Sequence, residues 1–139
     1  MSGGSQEQRN PYKGTTPRPW VRVQIVARDG SVGEVELIAD TGNPYGVIIG
    51  AARMARVKRK SGPVLGSNFG LLAGGWLRVV IPDVGFDDLV FGCGSDAVVM
   101  HTKQDSPDFE GLVGLPLLRM LEYGGDADWF WIRPQGGTP

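Results

Sequence analysis

The most informative stretch of this chain is Val35-Glu36-Leu37-Ile38-Ala39-Asp40-Thr41-Gly42, in which an apolar run ends in an acid, a hydroxyl and a glycine. Asp-Thr-Gly occurs once in the sequence. Because glycine tolerates backbone conformations that other residues avoid, Gly42 can turn the chain sharply and present its own N–H to the carboxylate. Thr41 adds a hydroxyl between them. The stretch predicts a held and oriented carboxylate, so Asp40 is a candidate catalytic acid or base.

A second informative segment is Gly111-Leu112-Val113-Gly114-Leu115-Pro116-Leu117-Leu118-Arg119, an apolar pair and a glycine leading into a predicted helix. With Asp-Thr-Gly after a hydrophobic strand, it resembles the two signatures of the aspartic proteases. The short chain resembles the retropepsin-like, single-lobe branch, and the motifs fit residues 20–134. The resemblance implies a mainly β, closed, barrel-like acid protease fold with one or two short helices and one lobe per chain. It also implies that Asp40 is catalytic and that Thr41 and Gly42 support the catalytic loop.

The length of the chain determines what kind of site this could be. At 139 residues it is one domain, too short for the two-lobed aspartic proteases that carry both aspartates in one polypeptide. The resemblance therefore implies a twofold homodimer in which an Asp40 pair activates a water molecule to hydrolyse a peptide bond. It further implies an intersubunit sheet containing the terminal strand of the fold, for which residues 129–133 are our candidate.

The resemblance also implies a glycine-tipped hairpin flap that closes over an extended peptide substrate, which pairs as an added strand. The candidate flap and substrate-binding residues are Gly66, Ser67, Asn68, Phe69 and Gly70. The pair Gly74-Gly75 is nearly as good a candidate for the flap tip. The chain departs from the family directly after the triplet, where Asn43 and Pro44 replace the usual Ala or Ser.

Composition excludes several classes of function. The 14 basic and 15 acidic residues nearly cancel, so the net charge gives no reason to expect nucleic acid or a membrane surface as a partner. Cys93 and His101 are the only residues of their types, too few for a structural zinc site, and we expect no metal or cofactor. Without a signal-like or membrane-spanning apolar run, the sequence favours a soluble, cytoplasmic protein.

The pattern along the chain predicts one folded unit. We expect a flexible extension over residues 1–19, the protease-like domain over 20–134 and a flexible tail over 135–139. Alternation from Val21 to Ala27 predicts a strand, the dipeptide Asp29-Gly30 a two-residue hairpin turn, and the following run a strand ending near Asp40. Further predictions are helices at 51–57 and 115–123, the latter stopped by Gly124-Gly125, and strands at 97–100 and 129–132.

Three functions remain open at this level. The first is an active aspartic endopeptidase, and the second is a catalytically silent dimeric domain that binds peptides or serves assembly. The third is a monomeric β-barrel fragment in which the triplet is only a turn. A thiol nucleophile formed by Cys93 and His101 is disfavoured, because no third orienting group is indicated.

Overall fold

The computed structural model describes residues 6–67 and 70–136. Within these ranges the chain forms ten strands, three short α-helices and a 3-10 turn at Pro82–Val84. The strands are β1 (Gln8–Pro11), β2 (Trp20–Val26), β3 (Val32–Asp40), β4 (Val47–Ile49), β5 (Lys60–Ser67), β6 (Gly70–Ile81), β7 (Phe86–Gly94), β8 (Phe109–Gly114), β9 (Leu121–Gly125) and β10 (Trp129–Pro134). The helices are α1 (Ala51–Val57), α2 (Asp96–Lys103) and α3 (Leu115–Leu118).

Six strands close into a barrel. The neighbours run in the order β2, β3, β8, β4, β7, β6, and β6 pairs again with β2. Among the described strands, the outer strand β5 pairs only with β6. The pairs β3–β8 and β4–β7 are parallel, whereas the other pairs are antiparallel. The predicted mainly β, closed, single-lobe fold is confirmed, with three short helices rather than one or two.

The interior of the barrel is the main hydrophobic core. In β2 the inward side chains of Val21, Val23 and Ile25 are at most 1% exposed, as the period-two pattern predicts. The register places Val23 opposite Val35 of β3, which is also buried. Burial of each such side chain contributes roughly 1.5–3 kcal/mol, so this packing fixes the register that carries Asp40 to the end of β3.

The hairpin between β2 and β3 is longer than predicted. Ala27 N–H donates to the Ser31 carbonyl over 2.9 Å, so residues 28–30 form a three-residue loop in place of a two-residue turn at Asp29-Gly30. Gly30 has a φ of 87°, and the Asp29 carboxylate accepts from Ser31 N–H. Glycine at a left-handed position is typical of such three-residue loops.

Residues 97–100 are helical, so the predicted strand there is wrong. They lie in α2, whose N-cap Ser95 accepts a hydrogen bond at its hydroxyl oxygen from Val98 N–H over 3.2 Å. The valines favoured a strand by propensity, but the serine cap and the buried face formed by Val98 and Thr102 determine the structure.

The predicted helix at 115–123 begins correctly but ends after Leu118. The chain then enters β9, whose Gly124 and Gly125 pair with Trp131 and Phe130 of β10. The two glycines are therefore strand residues and not a helix stop. A Cβ on Gly124 would lie 2.6 Å from the Trp131 ring, so the close packing of the aromatic strand accounts for a glycine there.

The N-terminal segment differs from the expected flexible extension. Residues Gln8–Pro11 form β1, which pairs with β10 in a three-stranded sheet of order β1, β10, β9. The buried Gln8 side chain exchanges two hydrogen bonds with the backbone of Arg22, which ties this sheet to the barrel. β10 is thus the central strand of this small sheet, with β1 and β9 at its edges among the described residues, and its place in an intersubunit sheet stays a prediction.

The first prediction concerns Gly111 of β8, whose backbone lies close to the neighbouring strand β4. Gly111 has a φ of 144°, and a Cβ there would collide with the Ile48 carbonyl oxygen. We expect Gly111→Ala to lower the free energy of unfolding by about 3 kcal/mol or more. In the matched control Gly66→Ala the new methyl meets no atom within 4 Å, so the change should stay within about 0.5 kcal/mol. Urea denaturation measures both, and equal effects would contradict this account.

The second prediction concerns the attachment of β1 to β10. Arg133 Nε donates to Glu7 over 2.7 Å, and this hydrogen bond is the main cause that lowers the pKa of Glu7. A lowered folded-state pKa stabilises the fold at neutral pH, and the contribution disappears as pH falls through that pKa. Glu7→Gln should therefore cost roughly 0.2–1 kcal/mol near neutral pH and almost nothing in strong acid. Thermal unfolding across pH tests this, and a difference that grows on acidification would contradict it.

Candidate active site

The Asp-Thr-Gly triplet forms a tight turn at the end of β3. Asp40 pairs in register with Gly114, the last residue of β8, so the two sequence motifs meet at one place. Gly42 N–H donates to Asp40 Oδ1 over 2.9 Å, and Asn43 N–H donates to the Asp40 carbonyl over 3.0 Å. The half-buried carboxylate of Asp40 is thus held by its own loop, as the sequence predicts.

The segment from Gly111 to Arg119 supports this loop through backbone hydrogen bonds. Leu115 N–H donates to the Asn43 carbonyl over 3.1 Å, and Gly114 N–H donates to the Gly46 carbonyl over 2.9 Å. A Cβ on Gly114 would collide with the Tyr45 carbonyl oxygen, so only glycine allows the loop to approach this closely. The Gly-Leu-Val-Gly segment therefore acts as the platform on which the Asp40 loop rests.

A groove of about 400 Å³ opens on one side of Asp40. Its walls come from the loop, β4, the β5–β6 hairpin, α2 and β8, and are mostly apolar: Tyr45, Ile48, Leu72, Val98 and Leu112, with Gly66 at the hairpin. The sequence did not predict the contribution of Val98, because it requires α2 to be a helix. The Ser95 cap was the signal that could have revealed it.

A smaller cavity of about 270 Å³ lies on another side of Asp40 and carries charged groups. It is lined by Arg18, His101 and Asp105 together with apolar residues of β3, α2 and β8. Arg18 Nε binds Asp105 Oδ2 over 3.0 Å, and the Asp105 side chain is only 15% exposed. No local sequence pattern marks these residues, since distant segments bring them together.

A further cavity adjoins the triplet at Thr41, which does not line the groove. Thr41 is exposed, and its hydroxyl makes no hydrogen bond within the part of the chain that the structure describes. A cavity of about 310 Å³ lies here, lined by Thr41, Gly42, Asn43, Pro44, Leu115, Pro116 and Arg119. We call this cavity the loop socket.

The predicted flap residues lie on the β5–β6 hairpin. Ser67 pairs with Gly70, the last pair before the turn, while Asn68 and Phe69 lie outside the described residues. The alternative tip Gly74-Gly75 is inside β6, opposite Cys93 and Gly92 of β7. Because both glycines lie within a paired strand, this pair is not a hairpin tip; a Cβ on Gly74 would lie 2.5 Å from the Pro63 carbonyl oxygen, which accounts for the glycine there.

Comparison with solved structures identifies the architecture. A retropepsin-like aspartic protease from Rickettsia conorii superposes with a TM-score of 0.55 over 93% of this chain and 91% of that chain, at 13% identity. The fold is retropepsin-like. EIAV protease complexed with the inhibitor HBY-793 gives a TM-score of 0.46 over 76% of this chain and 88% of that chain, at 14% identity. No protein-family profile and no curated protein sequence matches the chain.

Residues 6–67 and 70–136 contain no group of three or more metal-ligating side chains. No helix in the same ranges has both the length and the apolar character needed to cross a bilayer.

Cys93 is not a nucleophile. Its side chain is 0% exposed within β7, and burial raises the pKa of its thiol to about 11. His101 lies on the exposed surface of α2. Because the reactive species is the thiolate, a fully buried thiol with a raised pKa has the properties of core packing.

The third prediction follows from this burial. At about pH 8, Cys93 in the folded protein should react with Ellman's reagent at least about 100-fold more slowly than in the unfolded chain. The reason is that both access and the thiolate fraction are reduced. Thiol titration with and without concentrated guanidinium chloride measures the ratio, and rapid reaction of the native protein would contradict the placement of Cys93.

Proposed function

We propose that this chain is an aspartic endopeptidase that works as a homodimer, with the Asp40 pair activating a water molecule. The observation that carries the proposal is the Gly42-to-Asp40 hydrogen bond at the end of β3 in a retropepsin-like fold. The loop orients a carboxylate beside a mostly apolar groove, and in this proposal the extended peptide binds in that groove. The end-of-strand position of Asp40, the loop that holds its carboxylate and a groove for a substrate therefore occur at one place.

The chemistry requires two carboxylates. Hydrolysis of an amide without a covalent intermediate needs a base to deprotonate water and an acid to protonate the leaving nitrogen. Two carboxylates about 4 Å apart, at an effective dielectric constant near 20, repel each other by roughly 4 kcal/mol. Such a pair holds a single proton between them, and one member is then the acid while the other is the base.

A single chain supplies half of this pair. The other acid at the cavities flanking Asp40 is Asp105, which is engaged by Arg18. The second carboxylate must come from Asp40 of another copy, related by a twofold axis next to the loop. In the proposed dimer the exposed Thr41 hydroxyl is available to donate across that axis.

The β5–β6 hairpin serves as the flap in this proposal. It projects at the rim of the groove, where Gly66 contributes to the wall. Val64 and Leu71 on this hairpin are 64% and 80% exposed. Closure over a bound peptide would bury them and exclude water from the carboxylates.

A second candidate function is a peptide-binding domain without activity. The observation that favours it is Pro44, which removes a backbone N–H donor from the loop that lines the groove. Such a domain would keep the dimer and the groove. It would bind an extended peptide without cleaving it between about pH 4 and about pH 7.

The fourth prediction tests the proposed function. Asp40→Asn should reduce peptide cleavage by on the order of 1,000-fold or more, because neither proton transfer can then use a carboxylate pair. The dimer and the folded structure should persist, since asparagine keeps the oxygen that accepts from Gly42. Cleavage of a peptide library followed by mass spectrometry measures activity at mildly acidic pH.

Asp83→Asn is the matched control, since Asp83 is an exposed acid in the 3-10 turn and lines none of the cavities around the loop. It should leave cleavage unchanged. Sedimentation of the same samples reports the dimer. Full activity of Asp40→Asn would reject the catalytic role, and peptide binding without cleavage by the wild-type protein would favour the silent domain.

A further inference from the structure

The positive charges of this chain are unevenly distributed. Six basic residues on the β2–β3 hairpin, on α1 and directly after α1 form no salt bridge among the residues that the structure describes: Arg28, Arg53, Arg56, Lys58, Arg59 and Lys60. We call these six residues the basic patch. The other basic residues, apart from Arg119, each pair with an acid. Like charges repel each other, so a bound anion would relieve the repulsion within the patch.

Hydrogen bonds to backbone carbonyls bring the parts of the patch together. Arg59 Nη2 donates to the Val26 and Ala27 carbonyls, each over 3.1 Å. Arg28 Nη2 donates to the Arg59 carbonyl over 2.6 Å. These bonds hold the end of α1 against the β2–β3 hairpin. Because the acceptors are carbonyls and not carboxylates, the positive charges are gathered without being neutralised.

The helix α1 contributes two further cations to the same place. Arg53 lies against the start of β3, since a Cβ on Gly33 would be 2.9 Å from Arg53 Nη1. Arg56 follows Arg53 after three residues and therefore lies on the same face of the helix. The acid next to α1 is at its other end, where Asp96 Oδ1 accepts from Ala51 N–H. The guanidinium groups thus face the hairpin side.

The acids of the hairpin do not balance this charge. Asp29 accepts hydrogen bonds from the hydroxyl and the backbone N–H of Ser31, which are the main cause that lowers its pKa, and the charge of Arg56 adds to this effect. Glu34 faces Arg22 instead, with 3.8 Å between its carboxylate and Arg22 Nε. One carboxylate therefore stands beside six cations, and an anionic partner is complementary to this surface.

The basic patch is remote from Asp40. Strand β3 runs from Gly33, where Arg53 lies, to Asp40, and at about 3.3 Å per residue these ends are roughly 20 Å apart. Strand β5 likewise runs from Lys60 of the patch to Gly66 on the wall of the groove. A peptide bound in the groove must therefore extend by about six residues or more to reach the patch.

We propose that the basic patch is an exosite for an acidic segment of a protein substrate, roughly 20 Å from the peptide bond that is cleaved. This inference rests on the proposed function, because an endopeptidase acts on polypeptides. The planar guanidinium groups of Arg53 and Arg56 suit carboxylates, which they can bind through two parallel hydrogen bonds. Such an exosite selects substrates by a segment outside the groove and raises the local concentration of the cleavable bond at Asp40.

Nucleic acid fits this surface less well than an acidic peptide. A phosphate backbone is bound by a continuous basic track, and single strands also stack their bases on aromatic rings. Here Asp29 interrupts the patch beside Arg56. The aromatic residue paired with Lys60 is Trp76, whose ring packs against Phe91 with 5.4 Å between the centroids. The length of α1, about 10 Å, matches a short acidic segment.

The fifth prediction uses Arg56→Gln/Lys60→Gln, which removes two exposed cations of the patch. Fluorescence anisotropy measures binding of a labelled peptide of about six glutamates at low salt. The dissociation constant should rise about fivefold or more, because two of the attracting charges are lost. Salt at about 0.5 M should weaken binding to the wild-type protein, since exposed charges are then screened.

Arg9→Gln/Lys103→Gln is the matched control. It removes the same net charge at two salt-bridged residues outside the patch. The dissociation constant of the glutamate peptide should stay within about twofold of that of the wild-type protein. Thermal melting of all three proteins shows that each is folded, so that a loss of binding reports the patch and not unfolding.

Cleavage provides a second readout of the exosite. A library peptide that the enzyme cleaves is joined to the glutamate segment by a Gly/Ser linker of about 12 residues, which spans roughly 20 Å on average. This extension should lower KM about fivefold or more and leave kcat unchanged. A linker of about three residues reaches at most about 11 Å and should give no gain. In Arg56→Gln/Lys60→Gln the gain should disappear.

The outcomes separate this inference from the proposed function. If the wild-type protein cleaves peptides but binds the glutamate peptide no better than Arg56→Gln/Lys60→Gln does, the exosite is rejected and the endopeptidase stands. If labelled oligothymidylate binds more tightly than the glutamate peptide and depends on the same two residues, the patch is a nucleic-acid site and the inference is overturned. If the glutamate peptide binds through the patch but no peptide is cleaved, the endopeptidase proposal fails and the patch remains an acidic-peptide site of the silent domain.

Discussion

The arrangement of the site depends on one close backbone contact, that between the Asp40 loop and Gly114. The parallel register of β3 and β8 brings Asp40 level with Gly114, and the absence of a side chain there lets the Tyr45 carbonyl pack against the strand. Leu115 N–H can then bind the Asn43 carbonyl, which fixes the turn that presents the carboxylate. Two motifs far apart in sequence thus form one structural unit, because each satisfies backbone groups of the other.

The closed barrel explains why this unit lies at a surface. Pairing of β2 with β6 removes the free edges of the six-stranded sheet, and the apolar residues of these strands fill the interior. The loop must therefore leave the core where β3 ends. Asp40 of this loop lines the groove and the charged cavity, whereas Thr41 lines the loop socket. A twofold dimer would use these sides differently, with substrate on the first and the partner on the second.

The sequence predicts the parts of this structure that depend on local signals. The alternation in β2 and the approach to Asp40 are set by neighbouring residues, and so is the helix over Ala51–Val57. The small sheet could not be predicted, because β1 pairs with β10 from the opposite end of the chain, as in the pair Gln8 and Ile132. The contributions of Arg18 and Val98 to the site could not be predicted either, since only tertiary packing brings them to Asp40.

The distribution of unsatisfied groups gives the loop its physical character. Three backbone N–H groups, those of Gly42, Asn43 and Leu115, donate to acceptors within the loop. Among the described residues, the Asn43 amide nitrogen is the buried side-chain donor without a partner, whereas the exposed Thr41 hydroxyl can bind water. A folded domain normally satisfies such groups, and exceptions concentrate where function requires them. The hydrogen-bonded backbone therefore fixes the geometry of the Asp40 carboxylate, whereas the Thr41 side of the loop stays open to solvent.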